Sequence, residues 1–96
     1  MTLDDMRLFE EKHVMHTLIF IGQHPGCMKT EIYDAISHNP RMPEKLEMLE
    51  NAGLVMKTND DKCIRYGLSP MGFHMAQLIT EASEVFDHPD APFQTH

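Results

Sequence analysis

Six of the eight lysine and arginine side chains fall within residues 29–68, where they could bind an anionic partner. They are Lys29, Arg41, Lys45, Lys57, Lys62 and Arg65. Lysine offers a point charge to a phosphate, whereas arginine can pair bidentately with guanine. Seven acidic residues lie in the same segment, and the 96-residue chain carries a net charge of −7. Because duplex DNA is bound mainly through phosphate neutralisation, this balance predicts a mixed contact face with weak non-specific affinity.

Histidines offer a second chemistry, which is metal binding. In a continuous first helix, Glu10, His13 and His16 would lie at successive i, i+3 positions, and the last helix would carry His74. Neutral imidazoles and a carboxylate suit a transition metal. The spacing fixes no completing ligand, and seven histidines in an ordinary surface are the simpler interpretation. We therefore predict no metal and no cofactor, and keep a metal sensor as a weaker alternative.

No arrangement typical of catalysis stands out in the sequence. We find no nucleophile-base pair, no phosphate-binding loop and no paired-carboxylate site. The sequence therefore predicts a protein that is not an enzyme.

Length and composition predict one domain in the cytoplasm. A chain of 96 residues buries a small core, which is marginal unless a dimer interface adds to it. Asp4 and Asp5 are acidic where a signal peptide needs basic residues. No apolar run approaches the roughly 20 residues of a membrane span, so we expect no membrane contact. Reduced thiols are the expected state of the two cysteines.

Apolar spacing predicts two helices in the first third of the chain. The first begins at a cap on Asp4 or Asp5 and runs to about Gly22. Its apolar stripe consists of Val14, Met15, Leu18, Ile19 and Ile21. The second helix covers residues 30–36, with Thr30 as its cap. Residues 37–40 then form the turn of a helix-turn-helix.

A third helix begins near residues 41–43, runs to Ala52 and buries one face. Met42, Leu46 and Leu49 lie on that face at i, i+4 and i+7. Its start has two possible positions, because either Pro40 or Pro43 can be the first helical residue. We favour Pro43, which makes Met42 the cap.

The most informative stretch is residues 46–72, which predicts a helix end, a hairpin and a helix start. Gly53 can take the left-handed conformation that closes a helix. Strands at residues 54–58 and 63–68 flank a turn at 59–62, where Asn and Asp are favoured. Ser69 and Pro70 are a cap and a first helical residue, opening a helix that runs to about Phe86. Its apolar side consists of Met71, Met75, Leu78, Ile79, Ala82 and Val85.

This stretch resembles the winged-helix transcription regulators of the MarR, HxlR and PadR kind. In that family the recognition helix ends in Leu-x-x-Leu-x-x-x-Gly-Leu-Val, and the wing strand ends in Tyr-x-Leu-[Ser/Thr]-Pro-x-Gly. Both motifs occur here, from Leu46 to Val55 and from Tyr66 to Gly72. The resemblance implies an α+β, mostly helical fold: a winged helix-turn-helix with a β-hairpin wing and a C-terminal helix.

The resemblance also implies a DNA-contacting surface on helix three and the wing. The residues that it places at or beside double-stranded DNA are Lys29, Thr30, Arg41, Glu44, Lys45, Lys57, Lys62 and Arg65. Glu44 stands where the family more often has a polar or basic residue, and Asp60 and Asp61 add two negative charges at the wing tip. A solvated surface without DNA contact is the alternative interpretation of these charges.

Cys27 and Cys63 are the remaining reactive candidates. In the family fold, residues before helix two usually pair with the wing strand, so the resemblance brings these cysteines into one region. A redox switch is one interpretation, and inert buried thiols are the commoner one.

We predict a winged-helix domain over residues 1–87, a flexible tail over 88–96 and a homodimer formed by the first and last helices. The predicted function is DNA-binding transcriptional regulation. A winged-helix module that binds proteins rather than DNA is the first alternative, and a metal- or thiol-responsive sensor is the second.

Overall fold

Helices and one hairpin follow each other in the predicted order along residues 3–87, which are the residues that the computed structural model describes. The elements are a 3-10 helix η1 (Leu3–Glu10), α1 (Val14–Gln23), α2 (Lys29–Ala35), α3 (Met42–Asn51), β1 (Val55–Asp60), β2 (Cys63–Leu68) and α4 (Pro70–Asp87). The predicted α+β, mostly helical fold is confirmed. The predicted tail lies outside the described residues.

The core lies where α1, α2, α3 and the base of the hairpin meet. Its buried apolar members are Val14, Leu18, Ile21, Cys27, Ile32, Met42, Leu46, Leu49, Leu54, Val55, Tyr66 and Leu68. The prediction that Met42, Leu46 and Leu49 form the inner face of helix three is therefore confirmed. In α4, by contrast, Leu78 and Val85 are exposed, so much of its predicted apolar side is not covered within the chain.

The predicted continuous first helix is wrong, because the chain breaks between η1 and α1. His13 takes a left-handed φ of 73° just before α1 begins. L-residues adopt this conformation singly and do not continue a helix through it. The Thr17 hydroxyl donates a hydrogen bond of 2.7 Å to the His13 carbonyl oxygen. Glu10 and His16 thus belong to different elements, and the i, i+3 spacing considered for a metal site is not preserved.

The starts of α2 and α3 each differ slightly from the prediction. Thr30 is not a cap, since α2 begins at Lys29 and the Met28 N–H donates to the Glu31 carboxylate at 3.1 Å. In α3, Arg41 is the cap and Pro43 is the second helical residue, one position later than predicted. Proline is tolerated there because the first backbone N–H groups of a helix have no intrahelical acceptor.

The end of α3 confirms the role predicted for Gly53. This residue has a φ of 78°. Its N–H donates to the Glu50 carbonyl at 3.0 Å, and the Leu54 N–H donates to the Leu49 carbonyl at 3.1 Å. These two bonds form a Schellman motif, which satisfies carbonyl groups left free at a helix end. The chain therefore leaves α3 in a fixed direction toward β1.

Ser69 connects the start of α4 to the end of α3 through hydrogen bonds. The predicted cap is confirmed, since the Ser69 hydroxyl accepts a hydrogen bond of 3.0 Å from the Gly72 N–H. The same hydroxyl donates to the Gly53 carbonyl at 2.6 Å, and the Ser69 N–H donates to the Leu54 carbonyl at 3.0 Å. A Cβ on Gly72 would collide with the Leu54 carbonyl oxygen. The glycine is therefore required for this close approach.

The hairpin is longer on its first strand than predicted. β1 and β2 pair antiparallel from Val55 opposite Leu68 to Asp60 opposite Cys63. The turn therefore contains two residues rather than four, and Asp61 takes a left-handed φ of 54°. Asp tolerates this conformation better than most residues.

We expect Gly53→Val to lower the free energy of unfolding by about 1 kcal/mol or more, because a β-branched residue resists the left-handed conformation. A Cβ at Gly53 meets only Met71 Cε, at 3.5 Å, so the cost arises from the backbone and not from a clash. Urea denaturation measures the change.

Gly67→Val is the matched control for this substitution. Gly67 lies within β2, and a Cβ there meets no atom of the described residues within 4 Å. We expect little change, since valine suits a strand. Equal losses for the two variants would contradict the conformational explanation.

Candidate nucleic-acid interface

The outward face of α3 is the first component of the candidate interface. Glu44, Glu47, Met48 and Asn51 lie at i, i+3, i+4 and i+7, opposite the buried face. All are exposed except Met48, which is half-buried. Arg41 precedes them at the cap, with 77% of its side chain exposed. This face is free to contact a partner, and its charges are mixed as predicted.

Lys45 does not lie on this exposed face, although the resemblance places it in the DNA-contacting surface of helix three. Only 7% of the residue is exposed. Its Nζ donates a hydrogen bond of 2.6 Å to the Lys12 carbonyl oxygen, at the break between η1 and α1. A flexible four-carbon side chain can reach a carbonyl on a neighbouring element and bury its stem on the way. Lys45 therefore contributes to the scaffold, which leaves Arg41 as the cation at the start of α3.

Arg41 remains available for a partner although an acid lies close to it. Its Nε is 4.0 Å from the Glu44 carboxylate, and both side chains are more than 70% exposed. Such exposed pairs typically contribute less than about 1 kcal/mol. A guanine or phosphate could therefore replace Glu44 as the partner of Arg41.

Lys57 in the hairpin forms an ion pair with a residue of α3. Its Nζ lies 3.2 Å from the Glu50 carboxylate, which is 18% exposed. Glu50 also helps to raise the pKa of the neighbouring Tyr66 to about 12, although burial of the phenol is the main cause. The ion pair joins β1 to the end of α3 and competes with any phosphate for Lys57.

Arg65 joins the hairpin to the turn before α2. It donates from Nε to the Asp60 carboxylate at 3.2 Å and from a terminal nitrogen to the Gly26 carbonyl at 3.0 Å. Lys62 is exposed at the hairpin turn, and Lys29 and Thr30 are exposed at the start of α2. The structure therefore places most of the predicted residues at the surface, but Lys57 and Arg65 form contacts with other residues of the chain.

The two cysteines occupy different environments. Cys27 is 3% exposed and pairs through its backbone with Tyr66. Burial raises the pKa of its thiol, and the nearby Glu31 adds to this rise. Cys63 lies three residues from Tyr66 along β2, which is about 10 Å. Since a disulfide needs Cα atoms within roughly 7 Å, these cysteines cannot bond to each other without backbone movement.

Metal-binding side chains do not converge in the described part of the chain. Within residues 3–87, no group of three His, Cys, Asp or Glu residues is arranged to hold a metal ion. Desolvation lowers the pKa of His13, and the charges of Lys12, Lys45 and His16 lower it further. This environment favours the neutral imidazole.

Three contacts at this surface were not predicted from the sequence. They are the Lys45 hydrogen bond to Lys12, the Glu50 ion pair with Lys57 and the Arg65 hydrogen bond to Gly26. Each joins residues at least seven positions apart, so helical or strand periodicity carries no signal for it. Only the residue types, a cation and an acceptor, were visible in the sequence.

The order of these elements defines a winged helix-turn-helix, in which α2 and α3 form the helix-turn-helix and the hairpin forms the wing. No protein-family model matches the sequence, and comparison with curated proteins finds no similar sequence. Within residues 3–87, no helix is long and apolar enough to cross a membrane.

Solved structures of transcription regulators share this fold. A possible HxlR family transcriptional factor from Thermoplasma volcanium superimposes with a TM-score of 0.77 and 16% identity, over 88% of this chain and 80% of that one. MepR, a regulator of the Staphylococcus aureus multidrug efflux pump MepA, gives 0.76 and 21%, over 88% and 68%. FabT of Streptococcus pneumoniae, solved in complex with DNA, gives 0.68 and 15%, over 96% and 73%. The predicted resemblance in fold is confirmed.

We expect Lys45→Ala to destabilise the protein by about 1–3 kcal/mol, because it removes a charge-assisted hydrogen bond and the packing of the buried stem. Lys62→Ala removes an exposed lysine from the hairpin turn and should leave stability within about 0.5 kcal/mol of wild type. Thermal and urea denaturation compare the two. Similar stability for both variants would show that the contact with Lys12 contributes little.

Proposed function

We propose that this protein is a transcriptional regulator, and not an enzyme, that binds double-stranded DNA through α3 and the hairpin. The observation that carries the proposal is the outward face of α3, which is exposed while Met42, Leu46 and Leu49 bury the opposite face. A helix held in this way by a helix-turn-helix can enter the major groove with its N-terminal residues toward the bases. Arg41 and Glu44 lie at that end.

The solved structures support the same proposal. FabT, which shares the fold, was solved in complex with DNA, and the MepR structure is that of a transcription regulator. By analogy, Lys29 and Thr30 at the start of α2 and Lys62 at the hairpin turn would approach the phosphate backbone. Lys57 and Arg65 are further phosphate contacts in this proposal. To bind phosphate, they must first break their ion pairs with Glu50 and Asp60.

We also propose that the protein is a homodimer formed through its first and last helices. Large apolar side chains on α1 and α4 are uncovered within the chain: Met15, Met71, Phe73, Leu78, Val85 and Phe86. Val85 and Phe86 are 68% and 86% exposed near the end of α4. Such surface is costly in water and is typical of an interface between subunits. Two-fold symmetry would match a palindromic site.

A protein-interaction module is the second candidate, and the internal ion pairs favour it. Lys45 is buried, and both Lys57 and Arg65 contact acidic side chains. Each such pair lowers the charge available to phosphates, on a chain that already carries −7. If DNA is not bound, this surface could instead contact a protein.

Retention of genomic duplex fragments at low salt, with loss at moderate salt, is the expected result if the protein binds DNA.

On a preferred site, Arg41→Ala should weaken the binding free energy by about 1–3 kcal/mol and relax base choice. Lys62→Ala should weaken all sequences alike and reduce the salt slope by about one, as expected for a phosphate contact. Fluorescence anisotropy over a salt series measures both effects.

Absence of retention in low salt would favour the protein-interaction module over DNA binding. Identical effects of the two substitutions would contradict the division between a base-reading helix and a phosphate-contacting wing.

The dimer is tested by sedimentation velocity at micromolar concentration. Leu78→Asp should produce monomers, because it places a charge in the proposed apolar interface, where Leu78 is 48% exposed in the single chain. Gln77→Asp adds the same charge at the adjacent exposed position and should leave the dimer intact. A wild-type monomer would remove the argument for a palindromic site.

A further inference from the structure

Glu31 and Glu44 occupy the same position in two helices but have different local partners. Each is the third residue of its helix, α2 or α3. Glu31 accepts a hydrogen bond from the Met28 N–H at 3.1 Å, as the glutamate of a capping box does. In α3 the equivalent donor, the Arg41 N–H, donates to the Asn39 side chain at 2.9 Å. Glu44 is therefore not used as a cap.

The surroundings of Glu44 leave its carboxylate exposed. Among the described residues its ionic partner is Arg41, whose Nε lies 4.0 Å away, and 72% of the Glu44 side chain is exposed. Lys45, the next residue, turns inward to the Lys12 carbonyl. Glu11, Arg41, Glu44, Lys45 and Met48 line a shallow depression of about 280 Å³. The Glu44 carboxylate therefore makes no capping hydrogen bond and is exposed at the N-terminal end of α3, which would face the bases.

A carboxylate in the major groove can pair favourably with only some base edges. Guanine presents two acceptors and thymine presents an acceptor beside a methyl group, so neither offers a hydrogen to Glu44. Adenine presents an amine donor, but its N7 acceptor lies next to it. Cytosine presents its N4 amine, which donates to an acidic side chain. The phosphates repel the same carboxylate, which disfavours poses that place Glu44 against the backbone.

We propose that Glu44 determines base specificity by accepting a hydrogen bond from the N4 amine of a cytosine. This inference rests on the proposed DNA-binding function and names a feature of its target, a cytosine facing the start of α3. Arg41 lies one helical turn earlier and can contact a neighbouring guanine or phosphate when it leaves Glu44. The acidic residue that weakens non-specific binding is thereby a source of sequence preference.

A structural role for Glu44 leads to a different expectation. Acidic side chains in the first turn stabilise a helix slightly through its dipole. If that were the whole role, Glu44→Gln would change stability slightly and raise affinity for all sequences. Base preference would be unaffected.

The test selects bound duplexes from a randomised pool, using the full chain. Affinities are then measured for four duplexes that differ only at the selected position. Wild type should prefer cytosine there by about fivefold or more. Glu44→Gln should prefer adenine, because a glutamine amide pairs bidentately with adenine. Glu44→Ala should lose the preference without gaining another.

Glu81→Gln is the control, since it removes the same charge from an exposed position on α4. It should retain the cytosine preference. Unchanged preference in Glu44→Gln and Glu44→Ala, with duplex still bound, would overturn the role of Glu44 but leave the proposed function standing. Failure of wild type to enrich any duplex at low salt would overturn the proposed function itself, and the role of Glu44 with it.

Discussion

The junction of Gly53, Ser69 and Gly72 fixes the geometry on which the rest of the domain depends. One hydroxyl, that of Ser69, bonds the end of α3 at the Gly53 carbonyl and the start of α4 at the Gly72 N–H. The Leu54 carbonyl accepts from the Ser69 N–H and lies against Gly72, where no side chain intervenes. Because the hairpin leaves and returns through this junction, the direction of the wing is set relative to both helices.

Long-range contacts of cationic side chains extend this constraint to the surface. Lys57 joins the hairpin to α3, Arg65 joins it to the turn before α2, and Lys45 joins α3 to the break before α1. Half of the six cations in residues 29–68 therefore hold elements together. Side chains used in this way have little charge left for phosphates. The proposed interaction with DNA must then depend more on base contacts than on charge.

The sequence predicted features that depend on near neighbours. Gly53, the Ser69 cap and the buried face of α3 follow from backbone conformation and helical periodicity, which a few consecutive residues determine. The break at His13 was not predicted, because no glycine or proline precedes Gly22 to mark it and the Lys45 contact that borders it spans 33 positions. The same contact explains why Lys45 does not lie on the exposed face of α3. Periodicity could place Lys45 on α3 but not show which neighbour its long side chain would reach.

Two proposed features of this protein, the dimer and the acidic base-reading residue, fit one physical requirement. A monomer with few free cations would gain little affinity from phosphates at moderate salt. Pairing two copies through α1 and α4 would join two recognition helices, so that the second half-site binds at a high effective concentration. Each helix then needs only modest affinity, provided that its base contacts discriminate. An exposed glutamate at the start of α3 suits that arrangement, because its repulsion from phosphates penalises every site while its hydrogen bond offsets the penalty only at matching ones.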